Sequence, residues 1–354
     1  MHGHHAVAPN GQEYFVTGAA GFVGTRLVQA LVERGCSVRA LYHCAKPTAP
    51  PGFAWGDHNP FTSPRLNLVS GDITDRQSLR RAMAGCTHVF HVAAYARNWA
   101  ADRNLFKAQN IEGVRNVCAV ARELGVERIV WTSSIVTFGP TRPGEIGDED
   151  TPRMTNRYFT EYEATKTVAE REVLAMAADG LPVVTVNPTR VYGPGHLTEG
   201  NALARLIDAY DRGRMPLLMN RGVNVGNYVF VDDVVQGHLL AMQRGRIGQR
   251  YILGGENASL KEFFHAIARV SGKRHLQIPI LGISPLVFAW FLQKRAEWLG
   301  YHPSMTPGWV RTFLADWAYR CDKAQRELGY APTPLEEGIR VTYEWLLRVR
   351  KETE

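Results

Sequence analysis

The first half of the chain alternates short apolar runs with longer amphipathic ones. YFVTG (14–18), SVRALY (37–42), RLNLVSGD (65–72), HVFHVAA (88–94), RIVWTSS (128–134) and LPVVTVNP (181–188) read as strands. Between them, 22–35 places Val23, Leu27, Ala30 and Leu31 at helical spacing and stops at Gly35. Segments 76–85, 104–125 and 162–180 read as helices on the same grounds. The strands are apolar without alternation, so both their faces are buried. That predicts a mostly parallel sheet covered by helices, a doubly wound α/β fold. Residues 49–64, rich in Pro and Gly, must be loop. After about residue 190 the rhythm breaks and Pro and Gly recur. A smaller C-terminal lobe interwoven with returning strands is expected there, RYILGG (250–255) being one candidate. The longest apolar stretch, ILGISPLVFAWFL (280–292), is too short to span a bilayer and contains Pro285; it is expected to be a buried helix, with a surface-seeking helix the alternative.

Composition changes this picture little. The chain has 354 residues, 45% hydrophobic and 21% charged, which suits a large domain plus a smaller lobe. The net charge of +7 comes from scattered Lys and Arg, which argues against a nucleic-acid partner. Five cysteines (Cys36, Cys44, Cys86, Cys118, Cys321) show no paired spacing, as in a reduced, cytoplasmic chain without a metal site. The first eleven residues have no apolar core of signal-peptide length, and their three His read as a leader rather than a metal site.

The first candidate for chemistry is TGAAGFVG, with Gly18, Gly21 and Gly24 between a strand and a helix. The first Gly permits a tight turn, the second a close approach of backbone to a pyrophosphate, and the third close packing of helix on strand. The helix N-terminus then offers N–H groups to phosphates. The second strand ends without an acid at Leu41, Tyr42, His43 or Cys44. Nothing there repels a 2′-phosphate, and His43 and Lys46 can approach one, which favours NADP over NAD. Arg39 lies one strand position too early. Asp72 ends the third strand at the expected adenine edge, with Asp75 the better cap for the helix that follows. Small residues in HVAA (91–94) let a dinucleotide pass close.

The second candidate is Tyr162 and Lys166, four apart and therefore on one helix face. A nearby ammonium lowers a phenol pKa and suits Tyr162 to proton transfer. Lys166 would also bond the nicotinamide ribose. By itself this spacing is a weak motif, and its position after the fifth strand is what strengthens it. A hydroxyl from Ser133 or Ser134 would complete the site.

In this order, TGxxGxxG, the strand-end Asp, SS…FG, YxxxK and VNPTRVYGPG resemble the extended short-chain dehydrogenases/reductases over residues 12 to about 345. The resemblance implies a Rossmann-type domain at 12–190, with returning segments at about 223–255, and a substrate lobe at 191–350. It implies Tyr162 as acid/base, Lys166 as its partner and Ser134 as the hydroxyl, with Ser133 the fallback. It places the pyrophosphate on the loop formed by Gly18, Ala20, Gly21, Phe22, Val23 and Gly24. Asp72 and Ile73 would meet the adenine, Ala93 and Ala94 would flank the dinucleotide, and Asn187 and Pro188 would lie beside the nicotinamide. Nucleotide-sugar epimerases of this superfamily carry an Arg before the VxDV segment; here Gly226 stands in that position. PVVTVNPT, VDDVVQGHLLA and GQRYILGGEN look instead like the dihydroflavonol-reductase-like branch. The 49–64 loop is long for that branch, and His43 replaces its usual Arg.

The expected function is a reductase or dehydrogenase acting on a ketone, aldehyde or secondary alcohol with an apolar or aromatic body. Tyr95, Trp99, Phe138, Tyr192 and Tyr228 fall in segments that could line its pocket, and most of them suit a place in the core or scaffold equally. A nucleotide-sugar epimerase or dehydratase with bound NAD is the alternative, with Arg190 or Arg221 replacing the missing cation. A non-catalytic dinucleotide sensor is the third reading. A homodimer through the helices at 104–125 and 162–180 is a further expectation.

Overall fold

The computed structural model describes residues 12–43, 46, 48, 51–52, 59–214, 217–280, 283–303 and 305–353. The N-terminal leader, Cys44 and most of the first half of the 49–64 loop lie outside these residues.

Seven parallel strands form the central sheet. In chain order they are β1 (Glu13–Thr17), β2 (Ser37–Tyr42), β3 (Leu66–Ser70), β4 (His88–His91), β5 (Arg128–Thr132) and β6 (Val183–Pro188), joined later by β10 (Arg250–Leu253). Their spatial order is β10-β6-β5-β4-β1-β2-β3. Strand order reverses between β1 and β4, and that reversal opens the crevice where such folds bind ligands.

The absence of alternation in the strand sequences is explained by two covered faces. Tyr14, Val16, Phe90 and Val130 face helix α1 (Phe22–Glu33) and the later α7 (Val231–Arg244). Phe15, Val89, Ile129 and Trp131 face α2 (Arg76–Met83), α4 (Gly113–Glu123) and α5 (Glu161–Ala178). The long helix expected at 104–125 is α3 (Asn104–Lys107) joined to α4 by a π turn at Ala108–Glu112. A π turn widens the helix locally and here carries Asn110 into the site.

The C-terminal part interleaves with this sheet. β7 (Arg190–Tyr192), β9 (Val225–Phe230) and β11 (Glu256–Ser259) make a second sheet, and β8 (Leu217–Met219) pairs with β12 (Ile278–Ile280). Helices α6 (Ala202–Asp211), α8 (Leu260–Ser271) and α12 (Leu335–Thr353) share a third core. α9 (Ser284–Leu299), α10 (Pro307–Phe313) and α11 (Asp322–Leu328) complete the chain. The described end of the 49–64 loop reaches α12: the Trp345 indole donates to the Pro51 carbonyl at 2.7 Å.

The expectation of a buried helix at 280–292 is corrected here. Only Pro285, Ala289 and Ala296 of α9 are buried. Val287, Phe288, Trp290 and Phe291 are exposed. An apolar sequence predicts burial only if some element packs on every face, and α9 is covered along a single stripe.

Candidate active site

The glycine loop is built as its spacing requires. Gly18 adopts φ +70°, and a Cβ there would sit 2.6 Å from the Ala93 nitrogen. A Cβ on Gly24 would sit 2.0 Å from the Gly18 carbonyl oxygen. Both glycines are therefore obligatory for the turn itself. Gly21 is exposed and caps α1 through backbone alone; no side chain caps that helix and no acid lies in its first turn. Ala20 and Val23 are half-buried beside it, whereas Phe22 turns inward onto Gly195. The loop thus offers a glycine-lined cradle and uncapped helix N–H groups, the donor set a pyrophosphate needs.

Thr17 and His91 fasten the floor of this crevice, and sequence reasoning missed both. The Thr17 hydroxyl and His91 Nδ1 are 2.7 Å apart, and the Ala93 N–H donates to the same hydroxyl at 3.1 Å. Burial pushes the His91 pKa down to about 3, so the ring is neutral. Ala93 and Ala94 follow as half-buried small residues.

At the adenosine corner, His43 Nε2 lies 3.5 Å from the Asp72 carboxylate. The fold has thus brought together two residues that the sequence separates by a long loop and the whole of β3. Asp75 caps α2 through the Gln77 N–H. The Ile73 side chain is buried against Gly113, so it supports this corner from below and presents only its backbone edge. Lys46 lies 5.9 Å from the Tyr42 ring centre, whereas Arg39 is paired with Glu13.

Helix α5 presents Tyr162, Lys166 and Glu170 in one row at four-residue spacing. Its start is fixed by Thr160, whose hydroxyl accepts from the Glu163 N–H at 3.1 Å, while Glu163 accepts from the Phe159 N–H at 2.7 Å. This Thr-x-x-Glu signal stands in the sequence and locates the helix start. Tyr162 is half-buried, with the Ser134 hydroxyl near enough to lower its pKa. Ser134 and not Ser133 therefore shares the site; Ser133 is buried without a partner for its hydroxyl. Burial pushes the Tyr162 pKa up to about 12, against the Ser134 bond, which lowers it. Burial pushes Lys166 down to about 7, opposed by Glu170. Lys166 donates to the Thr132 carbonyl at 2.7 Å and sits 4.8 Å from the Trp131 ring centre.

Behind this row lies a buried polar network around Asn187, whose partners Glu170, Thr137 and Arg250 the sequence reading did not name. Asn187 donates to Glu170 at 2.6 Å, to the Ser134 carbonyl at 3.2 Å and to Thr137 at 3.2 Å. Arg250 of β10 donates to Glu170 at 3.1 Å. Asn187 thus aligns Ser134 from behind, with Pro188 buried beside it. Asn110 ties the other side: it accepts from the Tyr95 N–H at 2.7 Å and donates to Thr165 at 3.1 Å.

A cavity of about 930 Å³ opens at the N-terminus of α5, beside Glu161 and Ala164. Trp99, Phe106, Phe159, Trp290 and Arg311 are among its walls. Tyr95 packs edge-on against Phe106, behind this wall. Phe138 lines a different, smaller cavity with Tyr319. Tyr192 and Tyr228 are corrected outright: both are fully buried in the third core, Tyr192 donating to the Leu335 carbonyl and Tyr228 stacking on Phe263. Aromatic identity near a strand end does not reveal on which side of the wall a ring lies.

Gly226 has a packing reason. A Cβ there would lie 2.4 Å from Arg190 Nη1. The Arg190 guanidinium stands 4.7 Å from the Phe313 ring centre and donates to the Thr312 carbonyl at 3.1 Å. The vacancy is filled by a cation that is already stacked and hydrogen-bonded.

Known proteins resemble this chain over most of its length. The NAD dependent epimerase/dehydratase family matches residues 14–254. A "Putative dihydroflavonol 4-reductase" of Synechocystis sp. is 34% identical, covering 94% of each chain. A 4-hydroxy-2-methyl-3-oxo-4-farnesyl-3,4-dihydroquinoline-1-oxide ketoreductase of Stigmatella aurantiaca is 32% identical, over 90% of this chain and 91% of its own. The crystal structure of gox2253 superposes with a TM-score of 0.78 at 32% identity, covering 96% of this chain and 98% of its own. The chain belongs to the NAD dependent epimerase/dehydratase family and is an NAD(P)-dependent oxidoreductase of the extended short-chain dehydrogenase/reductase type.

Proposed function

We propose that this protein is an NADP-dependent reductase that transfers hydride between nicotinamide and the carbonyl carbon of an apolar or aromatic ketone or aldehyde. The reverse reaction would oxidise the matching alcohol, secondary for a ketone and primary for an aldehyde. The observation that carries this reading is the contact of Tyr162 with Ser134, with Lys166 one turn behind on the same helix face. Hydride chemistry is the cofactor's. The chain supplies a proton at the Tyr162 hydroxyl, a second hydroxyl on Ser134 to hold the substrate oxygen, and a cation at Lys166 that favours the phenolate as the proton leaves. Burial holds the phenol protonated, the form that can give a proton, in place of the lowered pKa expected from the lysine, and burial also lowers Lys166 to about 7.

The aromatic walls of the neighbouring cavity favour an apolar substrate body. The engaged state of Arg190 favours this reading over a nucleotide sugar, whose diphosphate needs a cation with donors to spare. The NADP preference rests on the absence of an acid at the end of β2 and on His43 and Lys46 beside that corner.

The test is carbonyl reduction by the wild type and Tyr162→Phe with NADPH and with NADH. Loss of the acid should cut the rate about 100-fold or more with dinucleotide binding retained, and NADPH should be preferred. An equal rate for Tyr162→Phe overturns the catalytic assignment, and a preference for NADH overturns the cofactor assignment.

A further inference from the structure

α9 is apolar around its first two turns, and a helix apolar all round is normally covered by protein or by lipid. Protein covers only one stripe of it. On the open side Phe288 is 55%, Trp290 55%, Phe291 57% and Trp298 84% exposed. The patch extends back along the chain to Ile278 and Leu276, both exposed. Few chains leave so contiguous an apolar surface in water without a use for it.

The charges around the patch identify its partner. Residues 273–301 contain four basic side chains, Lys273, Arg274, Lys294 and Arg295, against one acid, Glu297; Lys273 is paired with Asp211 at 2.9 Å, so the positive charge of the patch rests on Arg274, Lys294 and Arg295. Lys294 and Arg295 lie on the exposed side of α9 itself, directly after the aromatic turns. Glu297 is already engaged by Lys294 at 2.8 Å and by Gln293 at 2.7 Å. A second copy docked here would bury these cations against a stretch whose single acid, Glu297, is already paired. An anionic lipid surface takes the aromatic rings into its acyl boundary and the cations at its headgroups. With 16 residues, α9 spans about 24 Å, short of the ~30 Å hydrocarbon core, so it lies along a bilayer and does not cross it.

We propose that α9, with the exposed Leu276 and Ile278 that precede it, is an interfacial helix that docks this protein on anionic lipid surfaces. Val287 and Trp290 are shared between the exposed face and the wall of the 930 Å³ cavity, so docking places that cavity beside the lipid. The docking itself does not depend on which reaction the site performs.

The test is co-sedimentation of the full chain with phosphatidylcholine vesicles, with and without phosphatidylglycerol. Wild type should bind the anionic vesicles, at least tenfold more weakly when phosphatidylglycerol is omitted or salt is raised. F288S/F291S and K294Q/R295Q should each lose at least tenfold in binding while keeping the wild-type melting temperature, since all four side chains are exposed. Wild type that stays in the supernatant at every composition overturns the proposal, as does equal binding by F288S/F291S. A wild-type dimer by light scattering that F288S/F291S converts to monomer, without vesicle binding, assigns the face to a second copy and overturns it too.

Discussion

Lys166 is 1% exposed, and its ammonium is held by one carbonyl at 2.7 Å. Burial has pushed its pKa from 10.5 to about 7. As pH rises, the folded protein therefore releases this proton first. Between about pH 7 and the unfolded value the unfolded chain holds more protons, so the stability of the fold increases with pH through that window. A shift of this size corresponds to a cost of about 5 kcal/mol at pH 6, of which about 2 kcal/mol is relieved by pH 8.5. Lys166→Met keeps the length of the side chain, removes the charge, and leaves the Thr132 carbonyl unpaired at a cost of about 1–2 kcal/mol. The variant should thus be more stable than wild type by about 3 kcal/mol at pH 6, and by about 1 kcal/mol at pH 8.5. Urea unfolding of both proteins without added dinucleotide, at pH 6, 7 and 8.5, measures this. Buried thiols such as Cys86 and Cys118, whose pKa values are raised, act alike in both proteins and cancel in the difference. A variant no more stable than wild type at pH 6, or a gap constant across the range, would refute the claim that Lys166 is retained against stability.

Two further substitutions test the packing of the site. Gly18→Ala should weaken dinucleotide binding at least tenfold in a fluorescence titration and destabilise by about 1–3 kcal/mol, because φ is +70° and its Cβ would strike Ala93. Gly226→Ala should lower the melting temperature by displacing Arg190 from Phe313 and Thr312. G226A/R190A should recover part of that loss, since the clash then has no second party.

Much of the fold was legible because the relevant signals are local. All six early strands stand within a few residues of where the apolar runs place them, and RYILGG supplies β10, the strand that returns to the sheet. The glycine loop was legible for the same reason: its spacing is a property of one turn. The choice between Ser133 and Ser134 was not, since adjacent residues at a strand end point to opposite faces and only the sheet decides which faces Tyr162. Nor was the burial of Tyr192 and Tyr228, which depends on α8 and α12 packing over them. α9 misled for a related reason. Its apolar pattern is real, and the missing cover is a fact about the rest of the molecule.

The hidden part of the site is the network behind α5, and it explains why β10 must return to the sheet. Glu170 follows Lys166 by one turn, so any helix carrying the Tyr162–Lys166 row can place an acid beneath the lysine. Such an acid, fully buried, is tolerable only if its oxygens are paired. Asn187 and Thr137 supply neutral donors, and Arg250, from the edge strand β10, supplies the charge. Asn187 also holds the Ser134 carbonyl, so the acid that favours the Lys166 ammonium is linked through one amide to the hydroxyl that meets Tyr162. Residues from positions 134 to 250 therefore set one geometry. Their pairing with Glu170 and Arg250 is marked by no motif, because it is created by β6 lying between β5 and β10 in the sheet.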